Sequence, residues 1–249
     1  MTRSVLEATY RAERSHFWFH GLAAFSQPLL EGAVAGIGSP EILDCGCGTG
    51  ANMNRLSKLG RVTGFDITWE GLQFAKSYGQ TRLANASVLE MPFSDARFDL
   101  VTAFDIFSCL DDSDERRALD EIRRVLRPGG TLLLNTAALR VLRGQHAVFT
   151  REVRRAARAS VETALQRAGF ELVRVTYTNF TLLPFVLPVR LAQRAIGLTT
   201  PEETGGDILT PPAAVNTALI WLLRLETAAL RYVSMPLGSS LLALARKPH

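Results

Sequence analysis

Asp44-Cys45-Gly46-Cys47-Gly48-Thr49-Gly50 sets three alternating glycines directly behind a carboxylate. Glycines at this spacing let the backbone turn sharply and let a ligand approach main-chain amides. Nicotinamide dinucleotide sites use a related fingerprint, and Ala51, three places after Gly48, satisfies it loosely. Asp44 argues against that ligand, because a carboxylate ahead of the glycines repels a pyrophosphate and attracts an ammonium group. A nucleoside with an ammonium-bearing tail fits both features. Asp66, at the end of the next strand pattern, is placed to hydrogen-bond ribose hydroxyls, unless it only caps a helix.

Other positions suit proton transfer or cation binding. Asp105 closes a fourth strand pattern, where it can act as a base, orient an acceptor or only hydrogen-bond the strand end. His146, in Arg143-Gly144-Gln145-His146-Ala147, is a candidate general base because its unperturbed pKa lies near neutrality; a surface-loop histidine fits the same residues. His16-Phe17-Trp18-Phe19 offers aromatic faces, Trp18 among them, that attract a cation or pack as a helix face. Arg140, Arg143, Arg151, Arg154, Arg155 and Arg158 form a basic cluster, read either as a solvated helix face or as a site for an anionic substrate or acidic lipid surface.

Positioning these groups requires alternating strands and helices. Glu41 to Cys45 reads as a buried strand, Ala51 to Leu59 as a helix with Met53, Leu56 and Leu59 on one face, and Arg61 to Asp66 as a second strand. Thr68 caps a helix through Tyr78, Thr81 to Ala86 is a third strand, and Phe98 to Asp105 a fourth. Glu115 to Leu126 is helical, Arg127-Pro128-Gly129-Gly130 a turn, and Thr131 to Thr136 a fifth strand. Thr150 caps a helix to Ala168, and Phe170 to Thr178 and Ser239 to Arg246 complete the strands. The fold class is α/β: a doubly wound, mostly parallel seven-stranded sheet with helices on both faces. Before the core (41–137) lies an N-terminal helical cap (1–40), helical from Val5 to Leu30 and broken at Pro28. The C-terminal half (138–249) carries an insertion, 179–238, with helical patterns at 189–196 and 213–231; its length suits a lid or a partner surface.

At 249 residues and 47% hydrophobic, the chain supports one large domain with additions. A net charge of +4 is too mild to argue for nucleic acid. Three cysteines at 45, 47 and 109 match neither a disulfide framework nor a zinc spacing, which suits a reducing cytoplasm, and no metal is required. Met1 to Ser15 alternates charges where an export signal would be apolar. The apolar runs at 182–189 and 218–223 are shorter than the ~20 residues that span a bilayer, although peripheral membrane contact fits the apolar insertion beside the arginines. The oligomeric state is not encoded in any of these features.

The series Ile42 to Gly50, Val62-Thr63-Gly64-Phe65-Asp66, Met91-Pro92-Phe93, Phe98-Asp99-Leu100-Val101 and Val125 to Gly130 resembles the motif ladder of class I S-adenosylmethionine-dependent methyltransferases, in order and at family spacing. The resemblance implies S-adenosylmethionine as cofactor and S-adenosylhomocysteine as product. It implies Gly46, Cys47, Gly48 and Gly50 as loop contacts, Asp44 near the methionine end, Asp66 and Ile67 at the ribose, and Ala86, Ser87 and Val88 beside the adenine. Asp105 would face the methyl group, with Trp18 over the cofactor. Two positions depart from the pattern: relatives often carry Asp where this chain has Ser87, and a Glu-His pair where it reads Asp105-Ile106-Phe107-Ser108-Cys109.

The expected function is therefore methyl transfer to a small, partly apolar acceptor. A NAD(P)-dependent oxidoreductase is the rival enzyme reading, motivated by the same loop and Asp66. A non-catalytic S-adenosylmethionine-binding partner protein is the third, motivated by the missing Glu-His pair.

Overall fold

Period-two alternation along the strands builds two cores, one on each side of a sheet. Leu43, Cys45, Val101 and Leu134 face one side and pack with Leu119, Ile122 and Leu165. Ile42, Leu100, Leu133 and Leu242 face the other, with Phe25, Leu56, Leu72 and Leu223. The computed structural model describes residues 3–142, 153–195 and 210–249. Its strands are β1 (Glu41–Cys45), β2 (Arg61–Asp66), β3 (Leu83–Asn85), β4 (Phe98–Phe104), β5 (Leu126–Ala137), β6 (Glu171–Thr178) and β7 (Ser240–Arg246). They form one seven-stranded sheet in the order β3-β2-β1-β4-β5-β7-β6. All pairings among β1 to β5 are parallel, and β7 runs antiparallel between β5 and β6.

This order reverses direction between β1 and β4, the crevice where open α/β sheets bind ligands. The loop after β1 and the residue after β4 therefore meet at one place. Helices α1 (Arg3–Ser15), α2 (Phe17–Ala33), α3 (Ala51–Leu56), α4 (Trp69–Ser77) and α5 (Asp112–Val125) flank the first half. Later helices are Arg158–Arg167, Leu183–Ala195 and Ala213–Leu230.

Several boundaries differ from expectation for identifiable reasons. The N-terminal helix breaks at His16, not at Pro28, because the His16 Nδ1 accepts from the Trp18 amide and restarts the chain as α2. Pro28 stays inside α2, whose Phe25 and Leu30 are buried. Thr68 sits at the start of α4, but its side chain does not cap; its hydroxyl donates to Asp66 Oδ1 at 2.6 Å instead. The cap of α5 is Asp111, which accepts from the Asp114 amide, and the helix starts three residues before Glu115 at Asp112. Thr150 lies outside the described residues.

The insertion is tied down by two buried polar side chains on Ala213–Leu230. Asn216 accepts from the Phe17 amide at 2.9 Å and donates to the Ser15 carbonyl at 2.7 Å, which clasps the break between α1 and α2. Glu226, 1% exposed, accepts from the Phe180 and Thr181 amides at 3.0 Å each and from the Thr181 hydroxyl at 2.6 Å. By length and composition this helix could cross a membrane. Here its Leu219, Leu222, Leu223 and Leu230 join the core that contains α2. Glu226→Ala orphans three donors at once, so chemical denaturation should show a loss of about 2–4 kcal/mol; a loss under about 0.5 kcal/mol would mean the insertion is not anchored there.

Candidate active site

At the carboxyl end of β1 the chain leaves the sheet through Gly46, Gly48 and Gly50, with φ of 68°, 49° and 78°. These left-handed values suit glycine, and two of the three positions are also sterically closed. A Cβ on Gly46 would lie 2.5 Å from the Ile106 side chain, and one on Gly50 2.9 Å from Ala75. A Cβ on Gly48 would meet nothing within 4 Å, so this part of the loop borders open space.

Asp44 lies behind the loop and is 3% exposed. Its Oδ1 accepts from Thr102 Oγ1 at 2.6 Å and from Asn52 Nδ2 at 3.1 Å, while Oδ2 is buried with no partner. Burial dominates and pushes its pKa up to about 6, against the lowering by Thr102, Asn52 and the more distant Arg55. Arg55 spends its donors on the Ala23 carbonyl and Ser26 Oγ.

A second carboxylate arrives from α1. Glu13 Oε2 accepts from the buried Thr49 hydroxyl at 2.5 Å. Desolvation pushes its pKa up to about 7, against the Thr49 hydrogen bond, with the charge of Asp44 adding to the rise. The neighbouring groups on α1 and α4 are engaged elsewhere: Arg14 lies over the Tyr10 ring, which stacks on Tyr78 at 4.0 Å. The amino ends of the strands are handled differently. Glu41 pairs with Arg61 at 2.5 Å and Arg82 at 2.9 Å, and Asp99 pairs with Arg127 at 2.7 Å. The fold thus holds carboxylates at that edge in direct ion pairs with arginines, whereas behind the glycine loop Asp44 has only the more distant Arg55 and Glu13 makes no ion pair among the described residues.

Asp66 holds the loop from β2. Its Oδ2 accepts from the Gly48 amide at 2.9 Å and its Oδ1 from the Thr68 amide at 2.8 Å and hydroxyl. A carboxylate accepts about four hydrogen bonds, so one position is open for a hydroxyl. The turn-capping and ligand readings of Asp66 are compatible. Next to it Ile67 is 72% exposed, an isolated apolar face at the crevice. Ala86, Ser87 and Val88 are half-buried along the β2–β3 edge, where Ala86 donates to the Asp66 carbonyl and Ser87 Oγ accepts from Leu89.

Asp105 follows β4 with φ 62°, an uncommon conformation for a residue with a Cβ. Its amide donates to the Asn135 carbonyl, and its Oδ1 accepts from the buried Asn135 amide group at 2.8 Å. The carboxylate is thereby fixed at the strand mouth, beside Ile106 and hence beside Gly46.

Other expectations separate from this site. His16 is 8% exposed and stacks on Phe17 at 4.4 Å, a structural role, while Trp18 is half-buried edge-to-face against Phe19. Cys47 donates its amide to the Phe65 carbonyl and, like Cys45, has its thiol pKa pushed up by burial, which keeps both protonated. His146, with Arg143 and Arg151, lies outside the described residues. Arg154 pairs with Asp112 and Glu115, Arg158 pairs with Glu162, and Arg155 donates to the Ala138 carbonyl, so these arginines serve local contacts. Glu13, Thr102, Asn52 and Asn135 were not apparent in the sequence. Thr102 had a signal, being the register partner of Asp44 on β4; Glu13 had none beyond being an acid on a helix.

A glycine loop at the switch point, an acid on the second strand and a buried carboxylate behind the loop thus sit together on a Rossmann-like α/β sheet. Residues 42–130 match a family model described as a methyltransferase domain. An O-methyltransferase of Penicillium expansum is 37% identical over 102 residues, covering 37% of this chain and 36% of its own length. A demethylmenaquinone methyltransferase of Staphylococcus aureus is 37% identical over 99 residues, 36% of this chain and 40% of its own. Phosphoethanolamine N-methyltransferase 2 of Haemonchus contortus, solved with phosphomonomethylethanolamine and S-adenosylhomocysteine, has a TM-score of 0.63 at 17% identity, covering 100% of this chain and 58% of that one. This last likeness is one of fold. The chain spans 36% to 48% of the length of the Penicillium and Aspergillus relatives it first matches. Residues 42–130 are thus similar to a methyltransferase domain, and the rest of the chain lies outside that match.

The raised pKa values give a pH prediction. Unfolded, Glu13 and Asp44 ionise near 4.5 and 3.8; folded, near 7 and 6. Between those limits the native state holds more protons than the unfolded state, so both groups reduce stability as pH rises, an effect complete above about pH 7. Glu13→Gln removes one contribution. Its thermal midpoint should exceed that of the unliganded wild type at pH 8 and converge with it near pH 4.5; a constant offset at both pH values would contradict the assigned ionisation.

Proposed function

We propose that this chain is an S-adenosylmethionine-dependent methyltransferase acting on a small, partly apolar acceptor. When bound, the cofactor supplies a sulfonium methyl reactive enough for direct transfer to a nucleophilic oxygen, nitrogen or carbon, leaving S-adenosylhomocysteine. The protein then contributes alignment, exclusion of water and removal of a proton where the acceptor requires it.

The observation that carries this reading is the unpartnered Asp44 Oδ2, buried behind a glycine loop. A diphosphate brought there would meet a second anion, whereas an ammonium group supplies the missing donor. In this reading Asp44 receives the ammonium, the open acceptor position of Asp66 a ribose hydroxyl, and Ile67 with Ala86, Ser87 and Val88 the adenine. Gly46, Cys47, Gly48 and Gly50 shape the backbone wall. Asp105, pinned by Asn135, is the candidate catalytic residue: a fixed carboxylate at the strand mouth can orient an acceptor or take its proton. The helices of the insertion are the candidate apolar cover.

The named relatives include an O-methyltransferase, a demethylmenaquinone methyltransferase and a phosphoethanolamine N-methyltransferase. That range supports a small-molecule acceptor without selecting the atom methylated.

Calorimetry should show S-adenosylhomocysteine binding to the wild type, weakened roughly 10- to 100-fold in Asp44→Asn. Absence of heat at millimolar ligand, together with thermal protection by NADH, would replace this reading with the oxidoreductase one.

A further inference from the structure

A cofactor site built only from the sheet would need one carboxylate for the ammonium group; this chain brings a second from outside the sheet. We propose that Glu13, carried by α1, is the second anionic ligand of the cofactor's ammonium group, so that the N-terminal helix closes the cofactor site by direct contact. This inference rests on the methyltransferase reading and adds to it a binding residue outside the matched segment 42–130.

Three observations carry it. Glu13 reaches the glycine loop itself, through the Thr49 hydroxyl at 2.5 Å. Asp44, which Glu13 senses electrostatically, has a buried oxygen with no partner. Neither carboxylate has an ion-pair partner among the described residues, in a fold that pairs Glu41 and Asp99 with arginines at the other end of the strands.

An anchoring role for α1 alone does not account for the arrangement. A helix can be docked on Thr49 by a neutral side chain, without bringing a second carboxylate toward the first. Two like charges in one desolvated place repel, and a cation between them converts that repulsion into two attractions. A primary ammonium has three donors, enough to satisfy Asp44 Oδ2 and a Glu13 oxygen together. The helix is held ready for this contact because Asn216 fixes the break after Ser15. Glu13 therefore stands two residues from the pinned Ser15, placed to hold the cofactor without a long loop to order.

The decisive comparison uses two ligands and two proteins. S-adenosylhomocysteine and its analogue with hydrogen in place of the α-amino group are titrated calorimetrically into the wild type and into Glu13→Gln at pH 8. The expected result is a loss of roughly 10- to 100-fold for S-adenosylhomocysteine in Glu13→Gln, with the deaminated analogue changed by less than about two-fold. Equal loss for both ligands would reduce Glu13 to a support for α1 and overturn the proposal, as would no loss for either. A wild type that binds neither ligand would overturn the methyltransferase reading first, a result distinct from the other two. Thermal unfolding of the unliganded variant, expected at or above the wild-type midpoint at pH 8, excludes misfolding as the source of a weakened affinity.

Discussion

Removing a carboxylate from water without giving it a cation is costly, and folded chains ordinarily avoid it by pairing or protonation. Asp44 is 3% exposed, bonded through one oxygen and unpartnered at the other. The arrangement around it depends on that imbalance. Thr102 and Asn52 fix its orientation, Arg55 relieves its charge only from a distance, and Glu13 brings a second carboxyl group to the adjoining glycine loop. The same chain neutralises Glu41 and Asp99 with arginines, so the contrast between the two ends of the sheet is one of use. One end is satisfied by ion pairs within the protein, and at the other a buried carboxylate oxygen has no partner.

Sheet topology brings the loop and the strand ends together, and buried polar groups tie the additions to one another. The reversal between β1 and β4 brings the loop after Cys45 against Ile106 and Asp105. Asn135 then secures Asp105 from the next strand. The cap and the insertion, far apart in sequence, are joined by Asn216 at the α1–α2 break, and Glu226 locks the insertion to the segment after β6. The N-terminal helices, the insertion and the sheet are thereby connected through a few buried polar groups, while the apolar cores supply most of the cohesion.

The strands and the glycine loop were legible in the sequence because each is a local pattern. Glu41–Cys45 and Arg61–Asp66 agree with expectation at both ends, since a buried strand bounded by glycine or proline has few alternatives. The placement of Asp44 and Asp66 was legible for the same reason: each lies at the carboxyl end of a strand whose bounds the sequence pattern sets. The break at His16 was misread, because a histidine that accepts an amide hydrogen bond leaves no propensity signal, whereas Pro28 leaves a strong one and is tolerated by burial of its helix. Glu13, Asn52 and Asn135 act across elements, and no spacing in a single sequence reports those contacts. Ser87 and the Asp105 to Cys109 segment departed from the family pattern in the sequence, and the structure supplies Asn135 as the group that orders Asp105.

Ionisation of Asp44 tests the central claim most directly. Carboxyl-carbon NMR can follow it in the free protein and with saturating S-adenosylhomocysteine across a pH series. The account predicts a midpoint near 6 without ligand and a fall below about 4 with it, as the arriving ammonium stabilises the carboxylate. A midpoint that ligand binding leaves in place would show that the buried charge and the cofactor do not meet.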